Sequence, residues 1–175
     1  MDEIDIIMQR LHYSILDKVA EHVLLPVEEE LLSRFESAIG HKLPPDYRRF
    51  VQRYGGASLP DVVVMPAAPD PRLDPDDIFS VSDFFGFYAE GQNGNKCSYD
   101  LFYNYFTHRD HLPSGMIPIA ESGDNLFCLS CTGTTFDHVF ARLPPEFADD
   151  DPVGSYFLLA PSFRTFLQSL RMRSG

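Results

Sequence analysis

One run near the middle of the chain, Leu112 to Cys131 (LPSGMIPIAESGDNLFCLSC), leaves little choice of fold. Met116 to Glu121 is apolar apart from its glutamate, and Leu126 to Cys131 is apolar and rich in β-forming residues. Between them, Ser122-Gly123-Asp124-Asn125 holds residue types that tolerate turn and left-handed conformations cheaply. Thr132-Gly133-Thr134 allows a second reversal into Asp137 to Leu143, where Val139 and Phe140 supply a third strand. Three successive strands with tight turns make an antiparallel meander, which needs helices or a further layer to cover it.

The flanking sequence supplies those helices. Ile4, Ile7, Leu11, Ile15, Val19 and Val23 recur at spacings of three and four, predicting a helix over 2–23, with Asp2 and Glu3 at its positive end. Pro26 starts a second helix with Val27, Leu31, Phe35 and Ile39 on one stripe and Gly40 just past its end. Pro44-Pro45-Asp46 opens a third, where Tyr47, Phe50, Val51 and Tyr54 form the stripe and Gly55-Gly56 stops it. Arg48, Arg49 and Arg53 fall off that stripe and read as a solvated face.

Asp61 to Met65 is a strand by its β-branched content, and Pro66 to Asp77 is a proline- and aspartate-rich loop. Ile78 to Val81 returns to the sheet, while Phe84-Phe85-Gly86-Phe87 reads as an aromatic plug. Ser98 is placed to cap an aromatic helix presenting Leu101, Phe102, Tyr105 and Phe106 on one bulky face. After the meander come a second acidic loop, Pro144 to Gly154, a strand over Tyr156 to Leu159, and a last helix burying Phe163, Phe166, Leu167 and Leu170. Arg171 and Arg173 suit the negative pole of that helix. The pattern is a single α+β domain with a mixed, mostly antiparallel sheet whose central meander is flanked by helices. Residues 1–25 form a helical extension and 26–175 the main body, together one globular unit.

Composition narrows the class of partner. A chain of 175 residues buries about 70% of its unfolded surface, and at 44% hydrophobic residues it needs no metal or disulfide to hold a core. Three cysteines fit reduced thiols, and Asp2, Glu3 and Asp5 stand where a signal peptide carries positive charge, so a cytoplasmic location is expected. A net charge of -12 disfavours nucleic acid and anionic membranes and favours basic partners.

No motif nominates a catalytic group. Cys128-Leu-Ser-Cys131 has the spacing of a metal knuckle or redox pair, but both cysteines sit in a predicted strand, where residues three apart point to opposite faces. They read as core-filling thiols. His108 and His111 close the aromatic helix at Leu112-Pro113 and suit its negative pole. The chain has no nucleophile elbow, phosphate-binding loop, dinucleotide fingerprint or zinc-protease motif, so no catalytic, metal or cofactor residue is assigned. Two acidic loops remain: Asp70, Asp74, Asp76 and Asp77 against the single Arg72, and Glu146 with Asp149, Asp150 and Asp151.

Taken in order, several blocks resemble the SUKH superfamily of Smi/Knr-type domains, which includes bacterial immunity proteins and a fungal regulator of cell-wall synthesis. Phe35-Glu36 to Ile39-Gly40, Leu43-Pro44, Asp46-Tyr47-Arg48, Phe50 and Tyr54-Gly55-Gly56 resemble its N-terminal signature. Leu112-Pro113, Gly115, Ile117 to Ala120, Gly123 to Asn125 and Cys128-Leu129 resemble its central strands, and Ala160 to Phe163 with Phe166, Leu167 and Leu170 its closing helix. The chain departs from the family at Tyr54, where Asn is common, and in lacking tryptophan. The resemblance covers residues 27 to 171 and implies a non-enzymatic domain that binds and neutralises a toxin, often a nuclease. Many nucleases are basic, so the expected contact surface is acidic: Asp74, Asp76, Asp77, Asp149, Asp150 and Asp151, with exposed aromatics Tyr88 and Tyr99 at its desolvated centre.

Overall fold

The central meander forms and both of its faces are buried. A computed structural model describes residues 2–74, 76–123, 125–143 and 156–173. Strands β6 (Met116–Ser122), β7 (Asn125–Ser130) and β8 (Val139–Arg142) pair antiparallel in sequence, with Ile117 opposite Leu129 and Leu129 opposite Val139. Pro118 lies inside β6, a central strand, and has no N–H to give the ladder. The register shifts between Pro118 and Ala120, a bulge that absorbs the missing donor.

Around the meander, β4 (Ala57–Val64) and β5 (Phe79–Phe84) precede β6 in the sheet, and β9 (Tyr156–Ala160) follows β8. Two short strands share one edge of β4: β1 (Ser14–Ile15) pairs Ala57 and Ser58, and β10 (Arg171–Met172) pairs Val62 and Val63. Every pairing between these strands is antiparallel, and a lone parallel bridge joins Gly86 to Asp100. Phe84, expected in an irregular plug, is the last residue of β5, because its backbone extends the ladder opposite Ala120.

Helix α3 (Pro45–Tyr54) buries the predicted stripe of Tyr47, Phe50, Val51 and Tyr54, whereas α2 (Glu29–Ile39) starts three residues after Pro26, leaves Val27 outside and buries Leu32 with Phe35 and Ile39 while Leu31 stays partly exposed. Gly40 takes the left-handed conformation (φ 74°) and returns its N–H to Glu36, ending α2. Helix α5 (Phe163–Ser169) is capped by the Ser162 hydroxyl, which accepts the Thr165 N–H. These helices meet the sheet through aromatic rings. Phe50 sits with its centroid 4.7 Å from Phe84 and 5.1 Å from Phe163, and Phe166 bridges Phe84 and Phe127 at 6.4 and 6.3 Å. The sheet partner seen for Phe50 is thus a residue of β5, one strand before Ile117.

The first 25 residues differ from the single helix that their spacing suggests. Helix α1 spans Glu3–Arg10, where Asp2 and Asp5 close a reciprocal capping box. His12 then adopts φ 51° and the chain continues as β1 and a small hairpin of β2 (Lys18–Val19) and β3 (His22–Val23), turned at Ala20 with φ 53°. Ile4, Ile7, Met8 and Leu11 pack into the same core as the sheet. Helix α4 (Leu101–His108) is capped by Asp100 and not by Ser98, since the Asp100 carboxylate accepts the Tyr103 N–H at 2.8 Å. Arg171 does not serve the end of α5: Leu170 leaves the helical conformation and the next two residues enter β10.

The far edge of the sheet is closed by the loop after β4. The Ala67 N–H donates to the Leu158 carbonyl at 3.0 Å, and the Arg72 guanidinium donates to the Tyr156 carbonyl at 3.1 Å while lying 4.3 Å from the Phe157 ring centre. Phe79 and Phe157 are 6.2 Å apart, so the sheet curls until the start of β5 approaches β9. Exposed strand edges invite pairing with other chains, and this strap occupies those carbonyls.

Two stability outcomes follow from the aromatic core. Phe50 is fully buried among four rings, so Phe50→Ala should cost about 3–5 kcal/mol in a denaturant melt. A loss below about 1 kcal/mol would show that the site collapses around the cavity or that the ring is dispensable. The Tyr47 hydroxyl is buried with no hydrogen-bond partner among the described residues. Tyr47→Phe removes that stranded group and should raise stability by about 1 kcal/mol; a loss of that size would reveal a hidden partner.

Candidate partner-binding surfaces

The acidic loop is built by turn chemistry. Asp70 is engaged by Arg72, whose Nε and Nη2 donate to its two carboxylate oxygens at 2.9 and 2.6 Å. Those bonds hold the Asp70 carboxyl at a pKa of about 2. Being depressed in the folded state, it contributes stability above the ordinary carboxylate range, fading as pH falls towards 2. Asp77 accepts the Asp74 N–H at 2.8 Å, forming a local turn. Asp74 and Asp76 are exposed, Asp77 is partly so, and no cation pairs with any of the three among the described residues. Continuing the register Val64 to Phe79 places Met65 opposite Ile78 at the foot of this loop, and both are about half exposed, at 53% and 46%. Asp149, Asp150 and Asp151 lie outside the described residues.

The aromatic anchors expected beside these acids are elsewhere. Tyr88 is only 5% exposed: its hydroxyl donates to the Leu16 carbonyl at 2.7 Å and its N–H to Asp100 at 2.9 Å. Gly56 is what lets it in, since a Cβ there would stand 2.7 Å from the Tyr88 oxygen. Tyr99 is half-buried and packs against the core. Tyr88 therefore cannot supply a surface contact, because its polar end is satisfied inside.

The exposed aromatic surface is on α4. Leu101 and Asn104 are buried, while Tyr103 and Phe106 are 40% and 46% exposed. Phe102 and Tyr105 face α2, where Phe35 meets them edge-on at 5.0 and 6.1 Å. Between the two helices lies a cleft of about 610 Å³, walled by Leu31, Arg34, Phe87, Phe102, Tyr103 and Phe106. At its base Asp100 is held by the amides of Tyr88 and Tyr103, and burial pushes its pKa up. The sequence carried a signal for this surface: Phe102, Tyr103, Tyr105 and Phe106 in a two-turn helix are too many rings for one stripe.

Of the arginines of α3, expected at a solvated face, Arg49 and Arg53 are exposed and Arg48 partly buried, and all three make ion pairs with neighbouring helices. Arg53 pairs with Asp5 at 2.8 Å and Arg49 with Asp2 at 3.0 Å, tying α1 to α3, while Arg48 pairs with Glu29 and Glu36 of α2. His108 sits by Arg142, and burial lowers its pKa. The His111 carbonyl accepts the Tyr156 hydroxyl. No group of three or more His, Cys, Asp or Glu among the described residues is arranged to hold a metal ion.

Cys128 and Cys131 point to different sides of the sheet. The first lies near Arg142 and Tyr156, the second near Tyr47, Glu36 and Asp137, and burial pushes both thiols up to about 12. Neither should react with a disulfide reagent at pH 8 until the protein unfolds. In a Cys97→Ser chain, which removes the third thiol, an equivalent consumed in the native state before unfolding would place one of them at the surface.

The chain is thus an α+β domain with an antiparallel sheet, an acidic loop at one end of that sheet and a separate aromatic cleft between α2 and α4. The SMI1 / KNR4 family (SUKH-1) model matches residues 26–169, and the chain belongs to that family. It is 31% identical over 156 residues to the SPbeta prophage-derived uncharacterized protein YokK of Bacillus subtilis (strain 168), covering 81% of this chain and 73% of that protein. No helix among the described residues is long and apolar enough to cross a membrane.

Proposed function

We propose that the chain is a non-enzymatic, cytoplasmic immunity protein that binds and neutralises a basic bacterial toxin domain, such as a nuclease. The observation that carries this reading is the edge loop, where exposed Asp74 and Asp76 and partly exposed Asp77 have no cationic partner among the described residues and stand near exposed Met65 and Ile78. An apolar centre rimmed by uncompensated charge is the composition of a partner interface, and membership of a family rich in immunity proteins supports it. Met65 and Ile78 take the central role that Tyr88 and Tyr99 were expected to fill.

Steering by such carboxylates is screened over about 8 Å at physiological ionic strength and acts chiefly on association rate. The test begins with any toxin domain encoded beside the gene, purified and mixed with the chain. A 1:1 complex should form, and added salt should slow association while dissociation changes little. Asp74→Asn, Asp76→Asn and Asp77→Asn together should slow association at low salt by roughly tenfold and flatten its salt dependence. Formation of the complex at unchanged rate by the triple variant would move the interface off this loop. Failure of the chain to bind or silence a flanking toxin would overturn the immunity reading itself.

A further inference from the structure

We propose that the trough crossing α2 at Arg34 binds a short segment of a partner protein in which a carboxylate stands between apolar side chains. This surface is separate from the acidic loop and does not depend on the toxin reading.

Three observations converge on it. First, α4 turns Tyr103 and Phe106 outward while burying an asparagine, the reverse of a helix that serves only the core. Large exposed rings beside an apolar hollow mark a site for another surface. Second, the hollow is elongated. Beyond Arg34 and Phe102, which line both parts, a second and shallower depression of about 460 Å³ runs past Ser33, Ser37 and Ala38. A trough that continues across a helix suits an extended or helical segment better than a compact small molecule.

Third, the charges at the deep end of the trough are spent, and Arg34 at its middle is the cation left without a partner among the described residues. Asp100 accepts two backbone amides, Glu90 pairs with Lys96, and Arg109 lies 5.0 Å from the Phe106 ring centre and 3.7 Å from Asp110. Arg34 is exposed and makes no hydrogen bond or ion pair among the described residues. In a chain of net charge -12, an arginine at the centre of an apolar trough without a carboxylate of its own is complementary to one from outside. Glu30, one turn earlier on α2, lines the shallow end and does not pair with Arg34. It repels an acid there and so confines the incoming carboxylate to the Arg34 position. The ligand reads as apolar, acidic, apolar, with the first apolar group seated against Leu31, Tyr103 and Phe106.

The proposal is tested by selecting random twelve-residue peptides displayed on phage against the full chain, then titrating the synthetic winner by fluorescence anisotropy. Enriched peptides should carry Asp or Glu flanked by apolar residues. Arg34→Glu changes an exposed side chain, so its unfolding midpoint should match the parent, while Phe106→Ser loses the ring contacts with Phe102 and Tyr105 and should lower the midpoint without abolishing the cooperative transition. Each should weaken the peptide at least about tenfold. The triple substitution Asp74→Asn, Asp76→Asn and Asp77→Asn should leave peptide affinity unchanged, separating this site from the toxin contact. Absence of enrichment, winners without an acid, or binding indifferent to both trough substitutions would each overturn it. Two further outcomes also overturn it in favour of other occupants. One is Arg34-dependent binding of anilinonaphthalene sulfonate with no peptide enriched, which assigns a small amphiphilic anion. The other is a dimer in sedimentation that Phe106→Ser abolishes, which assigns a second copy of the chain.

Discussion

The stacking of Phe50, Phe84, Phe163 and Phe166 is the interaction on which the rest of the structure depends. These four rings come from α3, β5 and α5, elements separated by up to two thirds of the chain, and they meet with centroids 4.7 to 6.5 Å apart. Phe127 of β7 extends the stack into the meander. Burial of rings of this size supplies several kcal/mol each and adds a directional preference for edge-on contact, which fixes where both helices sit on the sheet. Once α3 is fixed, Asp5 can reach Tyr54 and Arg53, and α1 is held in turn. The Asp46 carboxylate likewise receives Arg164 from α5 in a two-pronged contact at 3.0 and 2.8 Å. The polar clamps around α1, α3 and α5 are therefore consequences of the aromatic stack and sharpen it.

A second aromatic group, Phe35 with Phe87, Phe102 and Tyr105, plays the same part between α2 and α4. It differs in having an open side. The first group is enclosed between α3, α5 and the sheet, whereas the second runs outward through Phe102 to Phe106, stacked at 6.5 Å, and ends in solvent. The same chemistry that builds the interior thus continues onto the surface, and the trough at Arg34 is where it emerges.

How far the sequence disclosed this varied by region, for physical reasons. The meander, α2, α3 and α5 were legible because each is bounded by residues with one conformational meaning: Gly40 at a left-handed cap, Pro45 at a first turn, Ser162 at an N-cap. Residues 11–25 misled because Leu11, Ile15, Val19 and Val23 recur every four positions. That spacing belongs equally to a helix and to short strands whose turns fall between them. The reversals use His12 and Ala20 at positive φ, and neither residue type advertises it as Gly or Asn would. The site was only partly readable. Acidic residues in a proline-rich loop announce exposure, and Asp74 and Asp76 are exposed. A tyrosine announces nothing about depth, since it carries its own polar end, and Tyr88 goes inside because Leu16 offers a carbonyl and Gly56 offers room.

The strap over β9 splits the loop after β4 into two parts under different constraints. Asp70 and Arg72 are bound to each other and to the Tyr156 carbonyl, so a change at either reopens a strand edge. The Asp74 and Asp76 side chains, by contrast, make no hydrogen bond or ion pair among the described residues. The tip is consequently free to drift in sequence while its root stays put. A lineage under pressure to recognise a new partner could rewrite the tip residue by residue without risking the fold, much as hypervariable loops change on a constant frame. In this chain, the segment that covers a strand edge also carries the segment least constrained by the fold.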